Sequence, residues 1–427
     1  MHTYANTTTA CGCRIFLTFE RLKFLIYSLN QISIQVKLHI GKGIELKENN
    51  KISIVDYTIN EILRLRFNDP ADFKFILSVL KKYSLDVADI SLNSFETNMV
   101  KFKTDDLLDN LRCRVECSEQ EVYKAKKLGF SKIVINISLD SFASIHDKLK
   151  LTEHVLQTVY SNDQEIYLSI DNALEFPVEE VNIVDILDPF IAKYGIKRLI
   201  LGDVNGKMDP FTTYNKLNLF TNMAQCPVEY MGCNNYGMAT ANTLSALRAG
   251  VEYVATSVSS IGIPGVAAME EVLMAARHLW KNEQVPNGYT IAADCENILR
   301  RAGIILPGEK AIIGKNVFAH ESGIHVDGVI KNPNLYEAIK PEEVGLSRFL
   351  VIGKHSGTAS LTQKLRQLDL PLSSQEAATL LDKVRHTAIL QKKPVTDTQL
   401  KTLYNLHMES IKESNVHLSI EGEISCD

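Results

Sequence analysis

From Lys51 to Lys281, short apolar runs rich in isoleucine and valine alternate with longer amphipathic stretches. The runs ISIVDY, VADISL, LRCRV, KIVINIS, IYLSID, RLILGD, VEYMG and YVATSV predict eight strands. Between them the spacing of apolar positions lengthens to that of a helix, for example over Asp69 to Tyr83, Ser118 to Leu128, Leu151 to Tyr160, Val181 to Tyr194 and Gly237 to Ala249. Eight strand-helix units in so short a span predict a closed parallel (β/α)8 TIM barrel. An open doubly wound sheet fits less well, since no glycine-rich dinucleotide turn follows the first strand. Beyond Trp280 strands become hard to find, and helical patterns run from Tyr289 to Ala302, Pro341 to Leu346, Ala359 to Leu368 and Ser374 to Leu390. The expected organisation is an N-terminal extension over 1–50, the barrel over 51–285, a mainly helical C-terminal lid subdomain over 286–408 and a loosely held polar tail over 409–427. Pro286 and Gly288 mark the junction between barrel and lid.

Composition narrows the function classes. The chain has 427 residues, of which 45% are hydrophobic and 23% charged, enough for one large core and a smaller second domain. A formal net charge of -5 leaves no basic excess for neutralising phosphates, which argues against nucleic acid as a partner. The eight cysteines are scattered and no secretory signal is evident, so reduced thiols and a cytoplasmic location are expected. The apolar pieces IFLTF and FLIYSL near the N-terminus are interrupted by Arg14, Glu20, Arg21 and Lys23, so no membrane span is expected there.

Barrels of this kind do their chemistry at the carboxyl ends of the strands. Polar residues at those ends are Asp56, Glu61, Asp89, Arg114, Asp171, Asp203 and the turn from Met231 to Asn235. Between Lys51 and Lys281 the histidines are His146, His154 and His278, and none follows a strand end, so a barrel metal would lack its usual imidazoles. Histidines gather later, in NVFAHESGIHVDGVIKNPNLYEAIKPEEVGLSRFLVIGKHSG, which holds His320, His325, Tyr336 and His355. Each alone is more often a structural histidine. His320 and His325 stand five apart, poor spacing for two ligands on one helix face, so a general base is the better functional reading.

The strings HESGIHVDGVIKNPNLYE, PEEVG, GKHSG, MDPFTT and GMATANTLSALRAG resemble the homocitrate synthase and 2-isopropylmalate synthase family, with wording closest to homocitrate synthases of the nitrogen-fixation type. The resemblance runs from about Lys51 to about Lys401. It implies condensation of acetyl-CoA with a 2-oxo acid, 2-oxoglutarate in the homocitrate case. It further implies a divalent metal (Mg, Mn or Zn) that chelates the keto acid, an arginine for the developing alkoxide, and a lid histidine and tyrosine near the acetyl group. His325 and Tyr336 match those lid positions.

The barrel departs from the family pattern. The family's Asp-Thr-Thr-Leu-Arg-Asp string is Asp56-Tyr57-Thr58-Ile59-Asn60-Glu61 here, so the arginine has become Asn60 and Glu61 alone can stand for the metal carboxylate. The His-x-His turn after strand seven reads Met231-Gly232-Cys233, and a thioether and a thiol are soft ligands poorly suited to Mg or Mn. The turn after strand eight, Gly262-Ile263-Pro264-Gly265-Val266, loses its polar members, and the threonine after strand six is Val204. In relatives the lid of one chain reaches over the barrel of the other. This chain is therefore expected to form a homo- or hetero-oligomer and to lend His325 and Tyr336 to the intact barrel of a homocitrate synthase-type subunit. A self-sufficient acyltransferase with an unusual metal site, a regulator that binds CoA or a keto acid without turnover, and a decayed relative with no site are the alternatives. The GKHSG turn could meet CoA phosphates through Lys354 or be a structural loop.

Overall fold

The computed structural model describes residues 51–65, 69–98, 105–138, 145–159, 164–175, 183–321 and 337–424. The N-terminal extension over 1–50 lies outside the described residues. Eight parallel strands follow one another around the sheet: β1 (Ser53–Asp56), β2 (Leu85–Ser91), β3 (Leu111–Glu116), β4 (Lys132–Ser138), β5 (Glu165–Asp171), β6 (Arg198–Asp203), β7 (Val228–Gly232) and β8 (Tyr253–Ser257). Pairing of Ser53 with Tyr253 through Asp56 with Thr256 joins β1 to β8 and closes the barrel. A two-residue strand, β9 (Ala267–Ala268), pairs with the end of β8. All eight predicted strands are present within a residue or so of the apolar runs.

The helices between them are α1 (Thr58–Arg64), α2 (Pro70–Leu80), α3 (Leu92–Asn98), α4 (Asp105–Leu108), α5 (Glu119–Lys127), α6 (Ile145–Val159), α7 (Ile183–Tyr194), α8 (Pro210–Met223), α9 (Ala239–Arg248) and α10 (Met269–Leu279). Several start where a side chain satisfies the free amides of the first turn. Asp209 accepts from the backbone N–H groups of Phe211 and Thr212 at 2.9 and 3.0 Å, and Asp69 does the same for Ala71 at 2.9 Å. The main core lies between strands and helices, with Phe73, Ile76, Phe130 and Phe220 among its largest buried side chains. The helix expected from Leu151 begins at Ile145, because its first turn is too polar (His146, Asp147, Lys148) to show a helical period.

After the barrel come α11 (Ile291–Arg301), a small parallel pair of strands β10 (Ala319–His320) and β11 (Phe349–Leu350), and then α12 (Thr358–Gln367), α13 (Ser374–Gln391) and α14 (Asp397–Ile424). The stretch at Pro341 is a single 3-10 turn, Pro341–Val344, ended by Gly345 at φ 77°. The last three helices enclose a second core of Ile352, Leu361, Leu365, Leu380, Leu381, Val384 and Leu400. The last helix, α14, runs on to Ile424. Among the described residues no helix is long and apolar enough to cross a membrane.

Candidate functional site at the barrel mouth

Side chains alternate across each strand, so one set fills the barrel and the other meets the helices. The inward set includes Arg112 and Arg114 of β3, Asp89 of β2, Asn136 of β4, Ser169 and Asp171 of β5, Arg198 of β6, and Glu229 and Met231 of β7. At the floor, the fully buried guanidinium of Arg112 donates to Glu229 at 2.8 and 2.5 Å and to Asp89 at 3.1 and 2.8 Å. Arg198 donates to Glu229 at 3.0 Å and to Asp86 at 2.9 Å, with the Tyr253 ring 3.3 Å from its guanidinium carbon. Burial alone would raise the carboxyls of Asp89 and Glu229. The guanidiniums outweigh it, Arg114 and Arg112 at Asp89 and Arg112 and Arg198 at Glu229, and hold both below the usual carboxylate range.

One layer higher, Arg114 gathers the mouth. It donates from Nη2 to Tyr57 Oη at 2.6 Å and Asp89 Oδ2 at 3.0 Å, and from Nη1 to Asn136 Oδ1 at 3.1 Å and Ser169 Oγ at 2.7 Å. Tyr57 in turn donates to Asp89 at 3.0 Å, and Asn136 donates to Asp171 Oδ2 at 2.9 Å. Of the polar residues proposed from sequence, Asp89, Arg114 and Asp171 are thus brought together. Asp56 and Asp203 are not part of this cluster: they bind turn backbones, Asp56 accepting from Ile59 N–H at 3.1 Å and Asp203 from Lys207 and Met208 N–H at 2.9 and 3.1 Å. Burial pushes the Asp56 carboxyl up to about 6. Sequence reasoning missed Tyr57, Asn136, Ser169 and the Arg112–Glu229–Arg198 chain. Their polar residues at alternate positions of otherwise apolar strands were the available signal.

The positions where the family carries metal donors hold other chemistry. Met231 and Val266 are buried in an apolar cluster with Val134, Tyr167, Ile200 and Ala255, flanked by Tyr57 and Val204. Glu61 accepts from Arg64 at 2.7 Å and from Asn60 at 3.2 Å, and Gly262 lies so close that a Cβ there would stand 3.3 Å from its Cγ and Cδ. Burial, reinforced by Asp203 and Asp171, pushes the Cys233 thiol up to about 11. Among the described residues, no three His, Cys, Asp or Glu side chains are grouped to hold a metal ion. A thioether inside an apolar cluster, a thiol and a carboxylate bound to arginine do not fit Mg or Mn, and among the described residues Cys233 has no set of partners to complete a Zn site.

In the lid, His325 and Tyr336 lie outside the described residues. His320 Nε2 stands 3.5 Å from Glu337, which is itself bound by Arg348 at 2.7 Å. The GKHSG turn wraps a carboxylate of its own chain: Glu321 Oε1 accepts from the His355 N–H at 3.0 Å, and Arg385 clamps the Ser356 carbonyl at 3.1 and 2.7 Å.

Comparison with known proteins places this geometry in context. A family model described as HMGL-like matches residues 99–294, and one described as homocitrate synthase post-HMGL domain-like matches residues 312–392. A protein named 2-isopropylmalate synthase 2 from Caldanaerobacter subterraneus subsp. tengcongensis is 36% identical over 291 residues, 67% of this chain and 76% of that one. Homocitrate synthase 1 from Nostoc sp. is 32% identical over 300 residues, 70% of this chain and 77% of that one. Among solved structures, an HMG-CoA lyase from Acinetobacter baumannii superposes with a TM-score of 0.50 at 12% identity, over 64% of this chain and 98% of that one, a likeness of fold alone. With its closed barrel, helical C-terminal region and these relatives, the chain belongs to the homocitrate synthase and 2-isopropylmalate synthase family.

Proposed function

We propose that this chain is a dependent subunit of the homocitrate synthase type, whose own barrel does not carry out the metal-assisted condensation and whose lid lends His325 and Tyr336 to a partner barrel with intact metal donors. In this reading the partner holds the divalent metal and the 2-oxo acid, 2-oxoglutarate, and the lid histidine and tyrosine sit near acetyl-CoA. The single observation that carries the proposal is that Met231, where the family has a histidine, is packed in an apolar cluster with Val134, Tyr167, Ile200, Ala255 and Val266. Loss of one preorganised electrostatic group typically lowers a rate by about 10²–10³, and here several are gone from one constellation.

Two measurements test it. The purified chain with acetyl-CoA, 2-oxoglutarate and Mn²⁺ is expected to release no thiol above the blank. When the chain is co-purified with an intact homocitrate synthase-type subunit, His325→Ala is expected to lower the rate of the complex by about 10²-fold, as for loss of a general acid or base. An unchanged rate in that complex, or homocitrate made by the isolated chain, overturns the proposal.

A further inference from the structure

From Ala302 to Phe318 the chain leading out of the barrel forms turns, with neither helix nor strand. Ile313 and Phe318 are buried in the main core, and Gly314 folds back so tightly that a Cβ there would stand 2.6 Å from the Lys310 carbonyl oxygen. Lys310 ties this strap to the first turn of α10: its Nζ donates to Glu271 Oε1 at 2.5 Å and stands 3.6 Å from Glu270 Oε1. Glu270 is fully buried, and its other oxygen, Oε2, accepts from the Ser259 N–H at 3.0 Å. Ser259 and Ser260 are left-handed at φ 56° and 59°, a conformation that residues other than glycine hold only when their surroundings fix it. Their turn belongs to the barrel mouth, where Asn234 donates to Ser260 Oγ at 3.3 Å and Ser260 Oγ donates to the Val266 carbonyl at 2.5 Å. One carboxyl group thus stands between the strap and the mouth.

The two carboxyls beside Lys310 are unequal. Glu271 is half-buried, faces the ammonium directly and also accepts from Thr240 Oγ1 at 2.8 Å. Glu270 is sealed from water, and its Oε1 lacks a hydrogen-bond partner. Among the described residues, the charged or titratable groups around Glu270 are Lys310 from the strap, Glu271 from its own helix and the Cys295 thiol from α11. Burial pushes that thiol well up, so it adds no charge near neutral pH, and the neighbouring Asp294 is engaged by Lys82, Tyr83 and Thr290. Ionised in this place, Glu270 loses its hydration and receives one N–H and a shared ammonium in return. Burial pushes its carboxyl from 4.5 up to about 7 against the pull of Lys310. The buried group therefore holds its proton more tightly than a hydrated one. The stabilisation that this gives the closed strap is complete below about 4.5, shrinks as pH rises and is lost once pH has passed about 7.

We propose that Glu270, Lys310 and the Ser259–Ser260 turn form a pH-dependent latch between the barrel mouth and the strap that leads into β10. With Glu270 protonated, strap and turn are held closed together. With Glu270 ionised, water enters to hydrate the carboxylate, the strap lifts at Lys310 and the Ser259 N–H is released with it. The latch concerns the chain's own barrel and is independent of the lid role proposed above.

Hydrogen exchange of the full chain, followed by mass spectrometry from about pH 5 to about pH 8 and corrected for the intrinsic amide rate at each pH, tests the latch. In peptides spanning 256–262 and 306–317 the opening constant is expected to rise about tenfold or more over that range, while a peptide spanning 132–138 in β4 stays more protected throughout. Glu270→Gln keeps an acceptor for the Ser259 N–H and mimics the protonated group; it is expected to flatten both profiles at their low-pH level. Lys310→Met removes the charge that opposes the upward shift and is expected to raise opening of both peptides at about pH 8 by about tenfold or more, although the mouth peptide meets Lys310 through Glu270. A flat wild-type profile, a rise that survives Glu270→Gln, or a Lys310→Met response confined to the strap overturns the proposal. The wild-type profile needs no variant to fold. Because thiol release by a lid-complemented partner is a separate readout, failure of either proposal is recognisable without the other.

Discussion

Replacing Arg112 by methionine removes one of three guanidiniums that face three carboxylates inside the barrel floor. Methionine approximates the length of the side chain, so the main change is charge rather than volume. Four hydrogen bonds disappear, two to Glu229 and two to Asp89. Neither carboxylate is stranded, because Glu229 keeps Arg198 at 3.0 Å and Asp89 keeps Arg114 at 3.0 Å, but the interior acquires one unbalanced negative charge. Breaking a buried pair from one side costs about 3–5 kcal/mol, and that is the expected loss of stability. Adding Glu229→Met restores two guanidiniums against two carboxylates, with Arg198 on Asp86 and Arg114 on Asp89, and is expected to recover about 1–3 kcal/mol of it. Urea unfolding followed through Trp280, the single tryptophan of the chain, measures both variants. A loss below about 1 kcal/mol for Arg112→Met, or a double variant weaker than either single one, refutes the view that charge balance holds this floor together.

Three other changes have expected outcomes. Glu270 is fully buried, and burial pushes its carboxyl from 4.5 up to about 7 although Lys310 opposes the shift. Because the folded form holds the proton more tightly, this stabilisation is complete below the unfolded value and is lost as pH rises through the folded one; Glu270→Gln is therefore expected to raise stability by on the order of 3 kcal/mol at about pH 8 and by little at about pH 4, read from urea midpoints. The double change Met231→His and Cys233→His puts imidazoles back into the mouth but leaves Val266 apolar and Glu61 on Arg64; it is expected to lower the melting temperature without creating tight Mn²⁺ binding by calorimetry, and tight binding would contradict the assignment of the cluster as a packed interior. In α13, Ser373 and Glu376 cap each other at 2.9 and 3.3 Å, and Ser373→Ala is expected to cost about 1 kcal/mol by the same denaturation assay, no loss being the contrary result.

The barrel was legible because its strands are apolar on both faces near their centres and short helices separate them. ISIVDY and KIVINIS, for instance, coincide with β1 and β4. The site was legible only in part. Asp89, Arg114 and Asp171 stand at strand ends where a barrel places its chemistry, yet nothing local distinguishes them from Asp56 and Asp203, which satisfy turn amides instead. The pairing of Arg112 with Glu229 joins residues 117 apart in sequence, a contact that exists only once the sheet closes. The departures at Met231, Cys233 and Val266 were visible as substitutions in motifs. The merger of Met231 and Val266 into one apolar cluster required three-dimensional structure, because Val134, Tyr167, Ile200 and Ala255 come from four other strands.

A buried layer of ions inside a barrel responds to heat in an unusual sense. Hydration of guanidinium and carboxylate groups becomes less favourable on warming, so keeping them out of water grows less costly, while the apolar packing around them weakens on chilling. Both trends favour mild warmth over ice for the stretch of barrel occupied by Arg112, Arg198 and Glu229.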